Sequence, residues 1–294
     1  VLALGQLLSF CITSTNTINA KLSMDYNVAI PTTQSLLNYV LLALVYIPYT
    51  IYRKGWNYFW SDVIKKRAKW YVLLALVDVE ANYFVVKSFQ YTSMLSAMLL
   101  DSWAIPMVMI LSFKFLGQRY RWMQVVGVII CLGGEGALIA SDVITGKNWA
   151  ASDPVKGDLF CILGATLYGV SNVMEEYFVR KFPLYEVVGM LGGFASIISA
   201  IQLSILERHE LQNLSLPPLG VGLIIIYDIS LFILYSIAPQ IFRLASATFF
   251  NLSLLTSDFY GLVVGIAVFG YYMYWLYPVA FVLVVAGMII YNWF

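Results

Sequence analysis

The sequence predicts an all-α integral membrane protein of ten transmembrane helices, and three observations carry the prediction. Of its 294 residues 61% are hydrophobic and only 11% charged, so a water-soluble surface could not be covered with polar groups and lipid is the expected solvent. Apolar runs of spanning length recur from one end of the chain to the other; a spanning helix needs roughly 20 mostly apolar residues. At roughly 25 to 30 residues per span with its loop, the chain accommodates about ten.

Hydropathy and length place the spans at 1–22, 31–53, 70–91, 93–116, 121–140, 156–177, 182–206, 219–243, 246–270 and 273–293. The first opens at Val1, already inside an apolar run, so polar ends belonging to a longer protein are expected. Val1 to Ala20 has no basic n-region, which argues against a cleaved signal peptide. Pro31, Pro154 and Pro183 stand where the second, sixth and seventh spans begin, positions that tolerate a missing backbone N–H. Gly117 and Gly270 close the fourth and ninth, and Pro106 and Pro239 are expected to kink the fourth and eighth from within. Cys11, Cys131 and Cys161 lie in apolar runs without metal-ligand spacing and read as small buried hydrophobes.

Basic residues are divided twelve to five between the two sets of alternate loops: Arg53, Lys54, Lys65, Lys66, Arg67, Lys69, Lys114, Arg119, Arg121, Arg180, Lys181 and Arg243 against Lys21, Lys87, Lys147, Lys156 and Arg208. The richer set is expected in the cytoplasm, with both termini. Asn213-Leu214-Ser215 is then a glycosylation sequon on the opposite side. Gly55 to Lys69 joins Trp56, Phe59 and Trp60 to a basic cluster, a pattern that fits either a helix in the cytoplasmic interface or a solvated loop. A net charge of +1 without a basic stripe excludes a nucleic-acid partner.

A faint internal repeat is present. Thr15-Asn16 resembles Ser171-Asn172, and Phe115-Leu116-Gly117 ends the fourth span as Val268-Phe269-Gly270 ends the ninth. Five helices followed by five related ones would give halves of opposite orientation, residues 1–147 and 148–294, with the polar stretch Ser141 to Lys156 at their boundary.

Ionised residues near a bilayer centre cost about 2.5 to 3.5 kcal/mol each, so a chain that keeps several needs a cavity or partners for them. Asp78, Glu80 and Asn82 fall in the third span, Asp101 in the fourth, Glu135 in the fifth, Glu175 and Glu176 in the sixth, Asp228 in the eighth and Asp258 in the ninth. Tyr168, Asn172, Glu175 and Glu176 form one polar stripe at helical steps; Gln34 and Asn38 share a face of the second span, and Asn251 and Asp258 of the ninth. Together these faces are expected to line a central polar cavity, with Glu80, Asp258 and Asp228 nearest mid-depth. Asp78 and Glu80 project to different sides, one toward the cavity and one toward a neighbouring helix. Glu175 and Glu176 fit snorkelling to the cytoplasmic end as well as substrate contact. Lys87 and Asp101 fit a structural ion pair better than a ligand role. Asn16 and Asn172, as symmetry mates, fit an interhelical hydrogen bond as well as a binding role. Gly189-x-x-x-Gly193 and Gly261-x-x-x-Gly265 allow close helix approach, with internal packing favoured over a homodimer. The single His209 lies in an external loop, so no histidine relay is available. No phosphate-cradling glycine loop, zinc spacing or paired nucleophile and base occurs, so ATP-driven pumping and enzyme chemistry lack support, and neither cofactor nor metal is expected.

The run Asp78-Val79-Glu80-Ala81-Asn82-Tyr83, continuing through Gln90-Tyr91-Thr92-Ser93 to Leu100-Asp101, resembles the F branch of solute carrier family thirty-five. So does the block from Gly164 through Tyr168, Ser171 and Asn172 to Glu175-Glu176-Tyr177. The resemblance covers nearly the whole chain. It implies the drug/metabolite transporter fold, two inverted five-helix repeats around a central cavity, and alternating access. It also implies a small-molecule substrate, with the most similar branch looking like carriers of a nucleobase micronutrient, queuine or its nucleoside queuosine. A nucleotide-sugar antiporter of the endomembrane system is the alternative within the family, disfavoured because this interior is rich in carboxylates and holds cations only near helix ends. A non-transporting receptor or scaffold is the alternative outside it. The expected location is the plasma membrane or an endomembrane of Golgi, reticulum or vacuole, with the lipid bilayer itself as a partner.

Overall fold

The computed structural model describes residues 2–26, 30–88, 91, 100–144, 154–208, 218–257, 259–261, 263 and 275–293. Their secondary structure is helical, with no strand among the described residues. In chain order the helices are α1 (Leu2–Tyr26), α2 (Pro31–Lys54), α3 (Ala68–Ser88), α4 (Ala104–Leu111), α5 (Trp122–Ile144), α6 (Pro154–Lys181), α7 (Leu184–Leu206), α8 (Pro218–Leu244), α9 (Ala247–Leu254) and α10 (Leu276–Trp293). Among the described residues, four segments are both long and apolar enough to cross a membrane: Thr32–Lys54, Val155–Lys181, Leu184–Leu206 and Pro218–Leu244. Ala104–Leu116, Trp122–Ala137 and Pro278–Trp293 are shorter apolar helices.

Punctuation follows the local chemistry. Pro31 occupies the first turn of α2, Pro154 begins α6, and Pro183 precedes α7. Gly117 ends the fourth segment in the left-handed region at φ 66°, where a residue lacking Cβ meets no steric penalty. Pro239 lies inside α8, and α2 holds an interior proline too, Pro48. Pro106 departs from the expectation. It sits in the first turn of α4, after an irregular turn at Ser102 and Trp103, so the chain restarts a helix there instead of kinking one. The stretch after Gly55 is helical: Trp56–Tyr58 leads into a π-helix, Phe59–Arg67, that runs on into α3. Phe59 and Val63 face the core while Trp56 and Trp60 are exposed. Gly270, the sequon at Asn213 and His209 lie outside the described residues.

Helix pairing is specific. α2 packs on α7, α5 on α10 and α4 on α9; α3 packs on α6 and α7, and α8 on α1 and α2. α6 also touches α4, and α1 touches α9. Large apolar side chains such as Leu44, Ile129, Ile201, Ile225 and Val282 point outward, where lipid is the matching solvent. The three cysteines are buried and not joined in disulfides.

Glycines set the closest approaches. On α7, a Cβ at Gly189 would stand 3.0 Å from the backbone of Tyr46, and one at Gly192 would stand 2.8 Å from the Tyr39 carbonyl oxygen, so the Gly189–Gly193 pair serves internal packing against α2. Between α5 and α10 the contact is reciprocal: a Cβ at Gly127 would lie 2.8 Å from the Gly287 oxygen, and one at Gly287 would lie 2.6 Å from the Gly127 oxygen. Gly287→Ala is therefore expected to lower stability by about 1 to 3 kcal/mol through overpacking, measured as a fall in the melting temperature of the detergent-purified protein. Gly133→Ala, on α5 with open space at its Cβ, should leave that temperature unchanged.

Candidate functional site

The third helix carries the hub. Asp78 stands ten residues from either end of Ala68–Ser88 and is 5% exposed. A carboxylate there must be satisfied by protein, and four helices contribute. Tyr39 of α2 donates its hydroxyl to Asp78 Oδ2 at 2.6 Å, and Tyr235 of α8 donates to the same oxygen at 3.0 Å. Ser171 of α6 donates to Oδ1 at 3.0 Å. Asn82, one turn along α3, braces the two tyrosines: its amide nitrogen lies 3.0 Å from the Tyr39 hydroxyl and 3.2 Å from that of Tyr235. Its carbonyl oxygen accepts from Tyr168 of α6 at 2.8 Å. The rings of Tyr39 and Tyr235 meet edge to face, 5.8 Å between centroids.

One turn beyond Ser171, Glu175 is also 5% exposed, and one of its oxygens is sealed from solvent without a hydrogen-bond partner. On α2, Asn38 is buried with neither amide atom partnered, and Gln34 is buried one turn before it. Beside the hub, a narrow cleft lies between α2, α3 and α7, lined by Thr32, Ser35, Val79, Asn82, Tyr83, Ser199 and Gln202. Asn82 belongs to both, so the cleft reaches the hub at that side chain.

The other candidates are dispersed around this centre. Glu80 turns away from Asp78 and accepts from Gln202 of α7 at 2.5 Å. Asn172 donates to Asn251 of α9 at 3.3 Å, a bond between helices. Asp228 is half-buried on α8 with one oxygen unpartnered. Asn16 is exposed on α1. Asp101 is exposed just before α4, and no ion pair joins it to Lys87, which corrects the expected structural pair. Asp258 lies outside the described residues. Glu175 and Glu176 do not snorkel: both are buried, because their helix face packs on protein along its length. The polar stripe of α6 is thus shared out, with Tyr168 bonding to α3 and Asn172 and Glu176 to α9.

Three buried glutamates act as structural ties. Glu176 accepts from Gln118 at 2.6 Å and from the Ala247 N–H at 2.7 Å, capping α9 while pairing with Arg180 at 2.6 Å. Glu186 of α7 holds Arg67, Tyr58 and Tyr71, each at 2.8 Å. Glu207 accepts from the Thr32 and Thr33 N–H groups at 2.6 and 3.0 Å, capping α2. The first two lie at the end of the bundle that carries the basic clusters, the third at the opposite end beside the cleft.

Tyr39 and Tyr235 were not singled out by the sequence, and Ser171 only as part of a repeat and a family block, not as a site residue. Their hydroxyls acquire meaning only when α2, α6 and α8 converge on Asp78. The one sequence signal pointing to them is the intramembrane acid, which requires donors from somewhere.

The family model of Solute carrier family 35, SLC35F, matches residues 1–293. An uncharacterized solute carrier family 35 member of Schizosaccharomyces pombe is 51% identical over the whole chain, which spans 58% of that protein's length. Solute carrier family 35 member F2 of Mus musculus is 40% identical over 99% of the chain and 77% of its own, and that of Xenopus tropicalis is 38% identical over 98% and 75%. A crystal structure superposes with a TM-score of 0.77 over 98% of this chain and 95% of the other at 16% identity, a likeness of fold.

Proposed function

The chain belongs to solute carrier family 35 and is a membrane transporter; from that premise we propose that it carries a nucleobase-type metabolite such as queuine or queuosine by alternating access. The observation supporting this reading is the hub at Asp78: one carboxylate, three phenols, one amide and a hydroxyl converge beside a cleft, a set suited to a flat heterocycle bearing an amine. Acceptors would take the donors of the ring and amine, and the tyrosine rings would pack on its faces. No cationic side chain pairs with this set among the described residues, which disfavours the phosphates of a nucleotide sugar.

Two inverted halves, 1–147 and 148–294, form part of the proposal, in a ten-span bundle with both termini cytoplasmic. The pairing scheme supports them: advancing every helix by five positions turns α3–α6 into α8–α1 and α3–α7 into α8–α2, and maps α2–α7, α4–α9 and α5–α10 onto themselves. The hub draws two helices from each half.

Proteoliposomes containing the purified protein are expected to accumulate queuine with saturable kinetics and to ignore nucleotide sugars. Accumulation of a nucleotide sugar instead would overturn the substrate class. Failure to move any solute, alongside a ligand-induced rise in melting temperature, would favour a receptor.

A further inference from the structure

We propose that Glu175 holds the exchangeable proton of the empty carrier while Asp78 holds the charge, and that a cationic substrate entering the hub displaces that proton, one for one. The inference rests on the transporter reading and adds to it a coupling ion and the residue that binds it.

Both carboxyls are 5% exposed, Asp78 ten residues from either end of α3 and Glu175 six residues inside the end of α6. Two anions sharing a poorly solvated site repel, and one of them retains its proton. The hydrogen bonds decide which. Asp78 accepts from three hydroxyls, a donor set that stabilises the ionised form. Glu175 has no donor at all on its sealed oxygen, and a neutral carboxyl tolerates that vacancy far better than an anion does. The two are neighbours through α6: Ser171, which donates to Asp78 Oδ1 at 3.0 Å, lies one helical turn before Glu175 on the same helix.

The remaining ionisable groups leave this division intact. Toward the pair, α2 presents Tyr39, α3 presents Asp78 and Asn82, and α8 presents Tyr235, with Tyr227 and Asp228 two turns further on. On α6 itself Tyr168 faces Asn82, and Glu176 is turned to Arg180, Gln118 and α9. Neither α4 nor α9 carries a titratable side chain within its bounds, and Asp101 lies just before α4. On α7, Glu186 is committed to Arg67, Tyr58 and Tyr71. Arg67 and Arg180 are thus bound to other carboxylates, and no ion pair among the described residues neutralises the pair. With the proton in place the site carries one negative charge. An arriving ammonium offsets one carboxylate charge, so Glu175 can ionise and release its proton to the medium while the net charge of the site stays at one negative.

Infrared difference spectroscopy tests this in the purified empty protein. At neutral pH a protonated-carboxyl carbonyl stretch is expected, removed by Glu175→Gln and retained in Asp78→Asn. Glu175→Gln mimics the protonated group and should melt like the parent. Adding queuine should abolish the band and release one proton per molecule bound into weakly buffered solution. In proteoliposomes the ratio of uptake with and without an imposed pH gradient should exceed one for the parent and fall to one in Glu175→Gln, whatever the absolute rate. A band that is missing, or insensitive to Glu175→Gln, overturns the inference, as does a band that persists with queuine bound. The band of the empty protein needs no solute, so its presence together with indifference to queuine supports the proton assignment and removes only the named substrate.

Discussion

Asp78→Asn is expected to reduce saturable uptake at least about tenfold, equivalent to about 1.4 kcal/mol or more of lost binding, while the melting temperature moves by only a few degrees. The amide keeps the shape of the carboxylate and one acceptor oxygen, and the hydroxyls of Tyr39, Tyr235 and Ser171 can rotate to accept from its nitrogen. What it removes is the charge. Asp78→Ala separates the two effects: it strands three hydroxyls inside the bundle, at roughly 0.6 to 1.7 kcal/mol for each lost bond in a membrane protein, and should lower the melting temperature as well. Radiolabelled uptake and thermal denaturation on the same preparations distinguish these results. Parent-like uptake by Asp78→Asn would remove the hub from the transport cycle.

The largest stability effect is expected at Glu186. Its carboxylate is fully buried and takes one bond each from Arg67, Tyr58 and Tyr71, with Arg67 23% exposed and its guanidinium 4.0 Å above the Phe182 ring. Removing one partner of such a pair leaves the other charge uncompensated, so Glu186→Ala should destabilise by about 3 kcal/mol or more. Glu186→Gln retains an acceptor for the tyrosines and should lose less. Because this tie fastens α7 to the π-helix ahead of α3 at the basic end of the bundle, both variants should also expose that end to labelling of introduced cysteines. Parent-like melting of Glu186→Ala would show that the tie does not hold the bundle.

Hydropathy made most helices legible, since apolar run length is a local property and Pro31, Pro154, Pro183 and Gly117 mark ends through their own backbone chemistry. Register within a helix was less legible. A third span taken as 70–91 puts Glu80 nearest its middle, whereas α3 runs from Ala68 to Ser88 and centres on Asp78. Two or three residues at each end therefore decide which carboxylate sits deepest. Tyr39 and Tyr235 were hidden among 21 tyrosines, because a phenol resembles any apolar residue until a tertiary contact supplies an acceptor. The pairing of Glu207 with α2 and of Glu176 with α9 was out of reach for the same reason: a cap contributed from a distant helix leaves no mark beside the helix it caps.

The seam between α5 and α10 has a consequence for how this protein can change over time. At Gly127 and Gly287 each new side chain would strike the opposite main chain, and the residue across the seam is already the smallest there is. Ordinary core positions drift because a gain of volume on one side can be answered by a loss on the other. Here nothing remains to give up, so damage at either glycine admits no local suppressor, and a rescuing change must come from residues that let the two helices stand further apart.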